Sequence, residues 1–552
     1  MATDVDRQVG DALARLSLEQ KIGQLFVTHV YGADAEHPSP EEAAHNWRVY
    51  GCETGADVVR RYYLGGVVYV GWAGNLATPA QVAALSNGLQ RAAVGAGGVP
   101  LAVATAQEHG AVAQLAAPFT ELPAGLALGA SGSGTNAEHA ATLSGRELRA
   151  VGVNQVYGPD VDVAVDPRGV VAGVQSYGSD PGLVARIGAG QVRGFHAAGV
   201  VATARHFPGR GGHAAADCTR AEWEGVDAVP FRAVVEAGVD AVMSGHVVVR
   251  ALDGNGAPAT LSPPILTRLL RDEVGFDGVV ITDSLALQGV RATYADEQVP
   301  VLALLAGADQ LLMPPDLDVA YRSVLDAVRA GGLTEERIDR SVERILRMKY
   351  ARGIAERVHV DEAGVDTVVG TQQHRDAALH ISDRTVTVVR DDGDVPMNPA
   401  WQAVLVVGCG TDAAEILSEA LAEHCGWTCA VDAGASPGPE ETKVAVARAK
   451  HHDVVVVLTG HAVDGAAPAR RRLVSALLAT RTPVLVVASD PYDVAHHPDA
   501  PTCLVTYSDS RTSMRSLVRV LVGEVEPRGT LPVAVPIGTG DDAGADGRAS
   551  VA

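Results

Sequence analysis

Between residues 20 and 314, eight short apolar runs (22–30, 65–70, 100–106, 154–161, 200–207, 241–247, 278–283 and 309–313) alternate with stretches of helix-forming sequence. Apolar runs of this length, spaced by helical segments, predict strands of a parallel sheet built from repeated βα units. Eight such units predict a (β/α)8 TIM barrel, whose chemistry sits at the C-terminal strand ends. An open doubly wound sheet is the alternative, but no Gly-rich phosphate loop follows the first run. The seventh run continues as GVVITDSLALQGV and delivers one carboxylate, Asp283, to its tip, where a helix is expected to start. Taken alone, Asp283 reads equally well as the cap of that helix.

The other tips shift the balance. AQEHGAV after the third run supplies Gln107, Glu108 and His109, and YGPDVDVAVDP after the fourth supplies Asp160, Asp162 and Asp166. The fifth run ends in ARHFPGRGGHAAADCT, which gathers Arg205, His206, Arg210, His213 and Asp217, and the sixth ends in MSGHV, with Met243 and His246. A single buried histidine or turn aspartate is ordinarily structural. Five tips converging on one mouth predict a binding or catalytic pocket.

A chain of 552 residues is too long for one core, so at least two domains are expected. The first is read as 1–352, closed by a helix over 333–352 whose Ile338, Val342, Ile345, Leu346 and Tyr350 recur at helical spacing behind the cap candidate Thr334. A linker at 353–377 leads to a second domain at 378–537, with strands at 386–389, 403–407, 454–458, 483–488 and 503–507. That pattern predicts a smaller α/β sandwich with a mostly parallel sheet, and the Gly/Ala/Asp-rich tail 538–552 reads as disordered. VVGCGTDAAE, at 406–415, hints at a dinucleotide turn but lacks a third glycine and an acidic residue closing the next predicted strand. His461 and Asp464 are candidates for a loop over the barrel mouth.

The formal charge of −22 argues against nucleic acid or an anionic membrane as partner. Six scattered cysteines follow no disulfide framework and no metal-ligand spacing, and neither function considered below calls for a metal or organic cofactor. The first residues have neither a basic nor an apolar leader-like segment, and no apolar run reaches about 18 residues, which predicts a cytoplasmic protein. Oligomeric state is not legible.

Several long stretches then carry a family resemblance: KIGQLF (21–26), APFTELPAGLALGA (117–130), GSDPGLVARIGAGQVRGFHAAGVVATARHFPGRGG (178–212), ATLSPPILTRLLRDEVGFDGVVITDSL (259–285), AGADQLLMPPDLD (306–318) and the closing EPRGTLPVAVP. Over roughly residues 10–537 the chain resembles glycoside hydrolase family 3, in its bacterial β-N-acetylhexosaminidase branch. The resemblance implies hydrolysis of a β-glycoside with retention, a carbohydrate small molecule as partner, and Asp283 as the nucleophile that forms a glycosyl-enzyme. It implies sugar-binding roles for Arg205 and His206, where many members read Lys-His, and for Gln107, Glu108, Gln175, Met243 and His246.

The branch carries its acid/base histidine in an Asp-Ser-His triplet, where this chain reads Asp217-Cys218-Thr219. The expected histidine is missing, which leaves His213 as the candidate acid/base and Asp217 beside it. Ala106 replaces a sugar-gripping aspartate, Ala111 a following arginine, and Gln175 a second arginine, so the pocket is divergent. The alternative is a non-hydrolytic descendant: a sugar-binding pseudoenzyme, or a barrel recruited for another reaction on a glycoside-like metabolite.

Overall fold

The computed structural model describes residues 4–107, 109–110, 113–165, 175–210, 218–398, 402–460 and 465–535. Glu108, Asp166, His213, Asp217, His461, Asp464 and the tail 538–552 lie outside the described residues. The chain divides into two compact units, Met1–Thr120 with Ser133–Arg375, and Glu121–Gly132 with Asp376–Ala552. The segment 121–132, read from sequence as part of the first domain, thus groups with the second unit. Among the described residues no helix is long and apolar enough to cross a membrane.

In the first unit, eight parallel strands run in the order β7-β6-β5-β4-β3-β2-β1-β8. They are β1 (Phe26–Thr28), β2 (Gly66–Val68), β3 (Ala102–Thr105), β4 (Gln155–Val156), β5 (Val201–Phe207), β6 (Ala241–Ser244), β7 (Val279–Thr282) and β8 (Leu311–Leu312). A bridge between Ile281 and Gln310, and the Thr282 N–H donating to the Gln310 carbonyl at 3.0 Å, bring β7 against β8 and nearly close the sheet into a barrel. The interior is filled by side chains rather than left as a pore: Val27, Val68, Ala104, Tyr157, Met243, Ile281 and Leu312 form one buried cluster. The outer helix Glu335–Ala351 starts where Thr334 caps it, its hydroxyl accepting the Arg337 N–H, and buries Ile338, Val342, Ile345 and Leu346.

One expected strand is half wrong. The run 22–30 begins as the last turns of the helix Leu18–Gln24, fixed by a reciprocal capping box between Ser17 and Gln20, and only Phe26–Thr28 is strand. Ile22 and Leu25 are buried as that helix and its C-cap rather than as a pleated edge.

The second unit holds a six-stranded sheet in the order β11-β10-β12-β13-β14-β9. Its strands are β9 (Thr387–Arg390), β10 (Ala403–Gly408), β11 (Trp427–Asp432), β12 (Val454–Thr459), β13 (Val484–Ala488) and β14 (Thr502–Val505). All pairings are parallel except that of β9 with β14. The sequence misses β11 because it is an edge strand with half-exposed side chains and no apolar run. That omission also hides Asp432, an acidic residue closing the strand next to the Gly408-Cys409-Gly410 turn. The dinucleotide reading fails for a different reason: Asp432 Oδ1 itself accepts the N–H groups of Gly410 and Gly434, at 2.8 and 2.9 Å. The anion-binding turn is occupied by the chain's own carboxylate.

Candidate active site

Asp283 follows β7 directly, at the C-terminal end of the barrel. Its Oδ1 accepts the Ser284 N–H at 2.7 Å and its Oδ2 accepts Nη2 of Arg210 at 2.8 Å. The side chain is 14% exposed, so the carboxylate is held on two sides yet still faces the mouth. A carboxylate has roughly four lone-pair sites, which leaves acceptor capacity to attack an electrophilic carbon.

Arg210 reaches Asp283 from the loop after β5. Gly209, with φ +119°, makes that turn, and a Cβ there would meet the Asp227 carboxylate at 2.4 Å, so only glycine fits. The turn is pinned from both sides. Trp223 Nε1 donates to the Pro208 carbonyl at 2.8 Å, and the Arg210 N–H donates to Asp162 Oδ1 at 2.9 Å.

Asp162 is the hub of this corner. Besides Arg210 it accepts Nδ1–H of His206 at 2.9 Å and the His206 backbone N–H at 3.3 Å. Burial opposes charge on Asp162, but the bonds from His206 and the Arg210 amide hold its carboxyl below the usual carboxylate range. His206 is pushed below the ordinary imidazole range by burial, only partly offset by Asp162, so it is a neutral ring. With Nδ1 donating to Asp162, Nε2 is left as the acceptor toward the pocket.

Asp160 behaves differently although it is two residues away. Burial first, and the Asp162 charge second, raise its carboxyl well above the usual range. Its Oδ1 accepts the Asp162 N–H at 3.1 Å, and its Oδ2 lies 3.7 Å from Nε of Arg205. Burial lowers Arg205 to about 10, still charged near neutrality. Asp160, Asp162 and His206 bring one potential ligand atom each within 4.8 Å of one another. His206 Nδ1 is, however, committed to Asp162, and two guanidinium groups flank the cluster, an arrangement suited to a polyhydroxylated neutral ligand rather than a cation.

His246, after β6, backs Asp283 rather than opening to a ligand. Burial keeps it neutral. Its Nε2–H donates to the Ser284 carbonyl at 2.9 Å, and Nδ1 lies 2.8 Å from the Thr260 hydroxyl, which is 2.9 Å from that of Ser244. Gly289 permits this close packing, since a Cβ there would sit 2.7 Å from that of His246. The ring therefore braces the 283–284 peptide.

Two other expected ligand-binding residues are buried against protein rather than open to the mouth. Met243 is a core residue of the barrel interior, because on β6 it faces the same side as Ile281 and Val27. Gln107 is a buried loop staple: its Nε2 donates to the Leu115 carbonyl at 3.0 Å, and Oε1 accepts the N–H groups of Gln114 and Leu115, both at 3.0 Å. Gln175 is half-buried beside the β4 loop, where the neighbouring Ser176 hydroxyl donates to the Asp162 carbonyl at 2.8 Å. Arg205 and His206 stand at the mouth. Thr219, in the place where the resemblance expects a histidine, is committed as the capping box of the helix Arg220–Gly225 with Glu222.

Sequence reasoning assigned no role to Arg210, Asp160 or Asp162, though all three were visible as strand-tip residues. It missed entirely an aromatic group on the tips of β1 and β2. The His29 ring lies 4.7 Å from that of Trp72 and 5.0 Å from that of Tyr31, and Tyr31 lies 5.0 Å from His45.

Comparison with known proteins adds the lineage. Models of the glycosyl hydrolase family 3 N terminal and C-terminal domains match residues 17–348 and 286–549. A beta-N-acetylglucosaminidase/beta-glucosidase of Cellulomonas fimi is 28% identical over 570 residues, covering 95% of each chain. A beta-hexosaminidase of Mycobacterium tuberculosis is 31% identical over 332 residues, 56% of this chain and 83% of that one. Among solved structures, a family 3 beta-N-acetylglucosaminidase from Paenibacillus sp. str. FPU-7 superposes with a TM-score of 0.82 at 33% identity, covering 95% of this chain and 100% of the other.

Proposed function

The chain belongs to glycosyl hydrolase family 3, and from that premise we propose that it hydrolyses the β-glycosidic bond of an amino sugar or a related glycoside with retention, Asp283 being the nucleophile. The observation that carries this reading is the carboxylate of Asp283 at the β7 tip, ion-paired to Arg210 and partly open to the mouth. In the first step Asp283 forms a bond to the anomeric carbon as the glycosidic C–O bond breaks, and the departing oxygen takes a proton from the acid/base. In the second, the same group removes a proton from water, which attacks the anomeric carbon and frees Asp283.

His213, on the loop after β5, is the side chain proposed for the acid/base; that role rests on the sequence alone. Arg205, and His206 through its free Nε2, hold sugar hydroxyls, and Arg210 orients the nucleophile. The departures at Ala106 and Gln175 favour a sugar other than the one the branch ordinarily cleaves. Six free cysteines, four of them buried, fit a reducing compartment such as the cytoplasm. Thr219 supports the second reading, a sugar-binding descendant without hydrolysis, because its hydroxyl is spent on a cap. Release of p-nitrophenol from aryl β-glycosides separates the two, since a good leaving group needs little acid catalysis. Turnover that vanishes in Asp283→Asn supports hydrolysis; a wild-type protein inert toward a panel of aryl sugars removes it.

A further inference from the structure

We propose that the floor of the barrel carries an anion site, separate from the mouth, in which Arg149 and Arg357 hold the phosphate group of a small phosphate monoester. The site is independent of the glycosidase reading above.

Two adjoining cavities, of about 420 and 350 Å³, share Arg149 as a lining residue. Both lie at the N-terminal strand ends: Arg149 precedes β4, and Ala198 and Gly199 precede β5. Because the strands are parallel, this face is opposite the one that carries Asp283 after β7. Side chains at that end of a barrel ordinarily serve stability, so a ligand held there is not the substrate.

The first cavity adds Arg146 and an apolar wall of Val360, Val365 and Val368, and the second adds Arg352 and Arg357. The wall is already in place. Asn87 Nδ2 donates to the Val360 carbonyl and its Oδ1 accepts the Val360 N–H, both at 2.9 Å, which fastens this segment to the helix Pro79–Gly95. Arg352 is spent on protein: its Nε donates to Asp240 Oδ1 at 2.6 Å, and Asp240 Oδ2 accepts the Ala202 N–H at 3.0 Å, at the foot of β5. Arg149 is half-buried and donates from Nη2 to the Gly353 carbonyl at 3.2 Å, which uses one of the five donors of a guanidinium. Among the described residues no carboxylate lies within 4.0 Å of the side chains of Arg146, Arg149 or Arg357. Glu356 and Asp361 line the rims without pairing to any of the three, and Asp361 Oδ1 accepts the Ala363 N–H at 3.1 Å instead.

Charge selects the ligand. Burial first, and the neighbouring Arg357 second, disfavour the charge on Arg149. Acids outnumber bases 66 to 44 in this chain, yet none is set between these two guanidiniums. Like charges held close, with donors to spare, are relieved by an anion that accepts from both. Two unpaired guanidiniums match a dianion, and a phosphate monoester is largely dianionic near neutral pH. The valine wall gives the organic part of the ester an apolar surface to cover.

The test is calorimetric titration of the full-length chain with phenyl phosphate, and with inorganic phosphate as the probe that lacks an organic part. Phenyl phosphate binds, inorganic phosphate binds about 3- to 10-fold more weakly, and affinity falls below about pH 6, where the ester loses its second charge while the arginines keep theirs. Arg357→Met, at an exposed side chain, weakens phenyl phosphate about 5- to 20-fold, and Arg149→Met weakens it at least as much. Arg48→Met, which removes an exposed arginine that lines neither cavity, leaves affinity within about twofold. The guanidiniums of the mouth also attract phosphate, so Arg210→Met is the discriminating control, and affinity survives it. Binding lost in Arg210→Met but kept in Arg357→Met overturns the proposal. So does a wild-type chain that binds no phenyl phosphate, in which case these arginines serve only the carbonyl ends of the helices Gly134–Ala150 and Glu335–Ala351.

Discussion

Replacing Asp162 with asparagine tests whether the corner after β4 and β5 works as described. The amide keeps an oxygen for the two backbone donors, the N–H groups of His206 and Arg210, but presents an NH2 group to Nδ1–H of His206, now 2.9 Å from the carboxylate. One charge-assisted hydrogen bond is lost and two donors face each other. Such a bond is worth about 1.5–3 kcal/mol, which corresponds to roughly 10- to 150-fold in kcat/KM if it is fully expressed in the transition state. To relieve the clash His206 must move its proton to Nε2, so the atom facing the pocket changes from acceptor to donor. Nitrogen-15 NMR of labelled histidine reads the tautomer, and aryl-glycoside hydrolysis reads the activity. The pH dependence follows from Asp162, whose folded-state pKa lies below the unfolded one. Its contribution is present above about pH 4 and is lost as pH falls through the lower, folded value, so wild type and variant converge in stability only in acid. Activity within about twofold of wild type, with Nδ1 still protonated, would refute the hub.

Arg210→Met removes the Asp283 partner while leaving the backbone bond to Asp162, and it lowers kcat about 10- to 100-fold with a smaller change in KM, measured on the same aryl glycosides. Asp160→Asn removes a carboxyl whose folded pKa is raised by burial and by Asp162; denaturant melts should show the variant gaining on wild type as pH rises above about 4 and losing that gain in acid, roughly the reverse of Asp162. Lys349, fully buried with one hydrogen bond to Gln24, is lowered to about 7 by burial. Between that value and the unfolded pKa the unfolded chain binds more protons, so wild-type stability gains on Lys349→Met by up to about 1.4 kcal/mol per pH unit as pH rises from 7.5 to 9.5.

The barrel was legible because parallel strands buried on both faces leave apolar runs that survive without any tertiary information. Asp283 was legible for the same reason, as a charge at the end of such a run. The sequence could not reveal which hydrogen-bond partners the folded loops supply. Gln107 lies at a strand tip like a ligand-binding residue, yet its hydrogen bonds go to residues 114 and 115. His246 likewise spends both ring nitrogens on protein, across the gaps to Thr260 and Ser284. Edge strand β11 carried no apolar signature, and with it Asp432 was overlooked. The aromatic group joins His29 and Tyr31 to Trp72 about 40 residues later, a juxtaposition set by strand pairing between β1 and β2 and not by spacing.

The central claim is that Asp283 attacks the anomeric carbon. Incubation with a 2-deoxy-2-fluoro-β-glycosyl fluoride, followed by proteolysis and mass spectrometry, tests it directly, because the C2 fluorine slows both formation and breakdown of the ester while the good fluoride leaving group keeps formation the faster step. The expected result is one glycosyl unit on the peptide spanning 278–290, localised to Asp283 and missing in Asp283→Asn. A glycosyl adduct on another side chain, or steady turnover of aryl glycosides by Asp283→Asn, would contradict it.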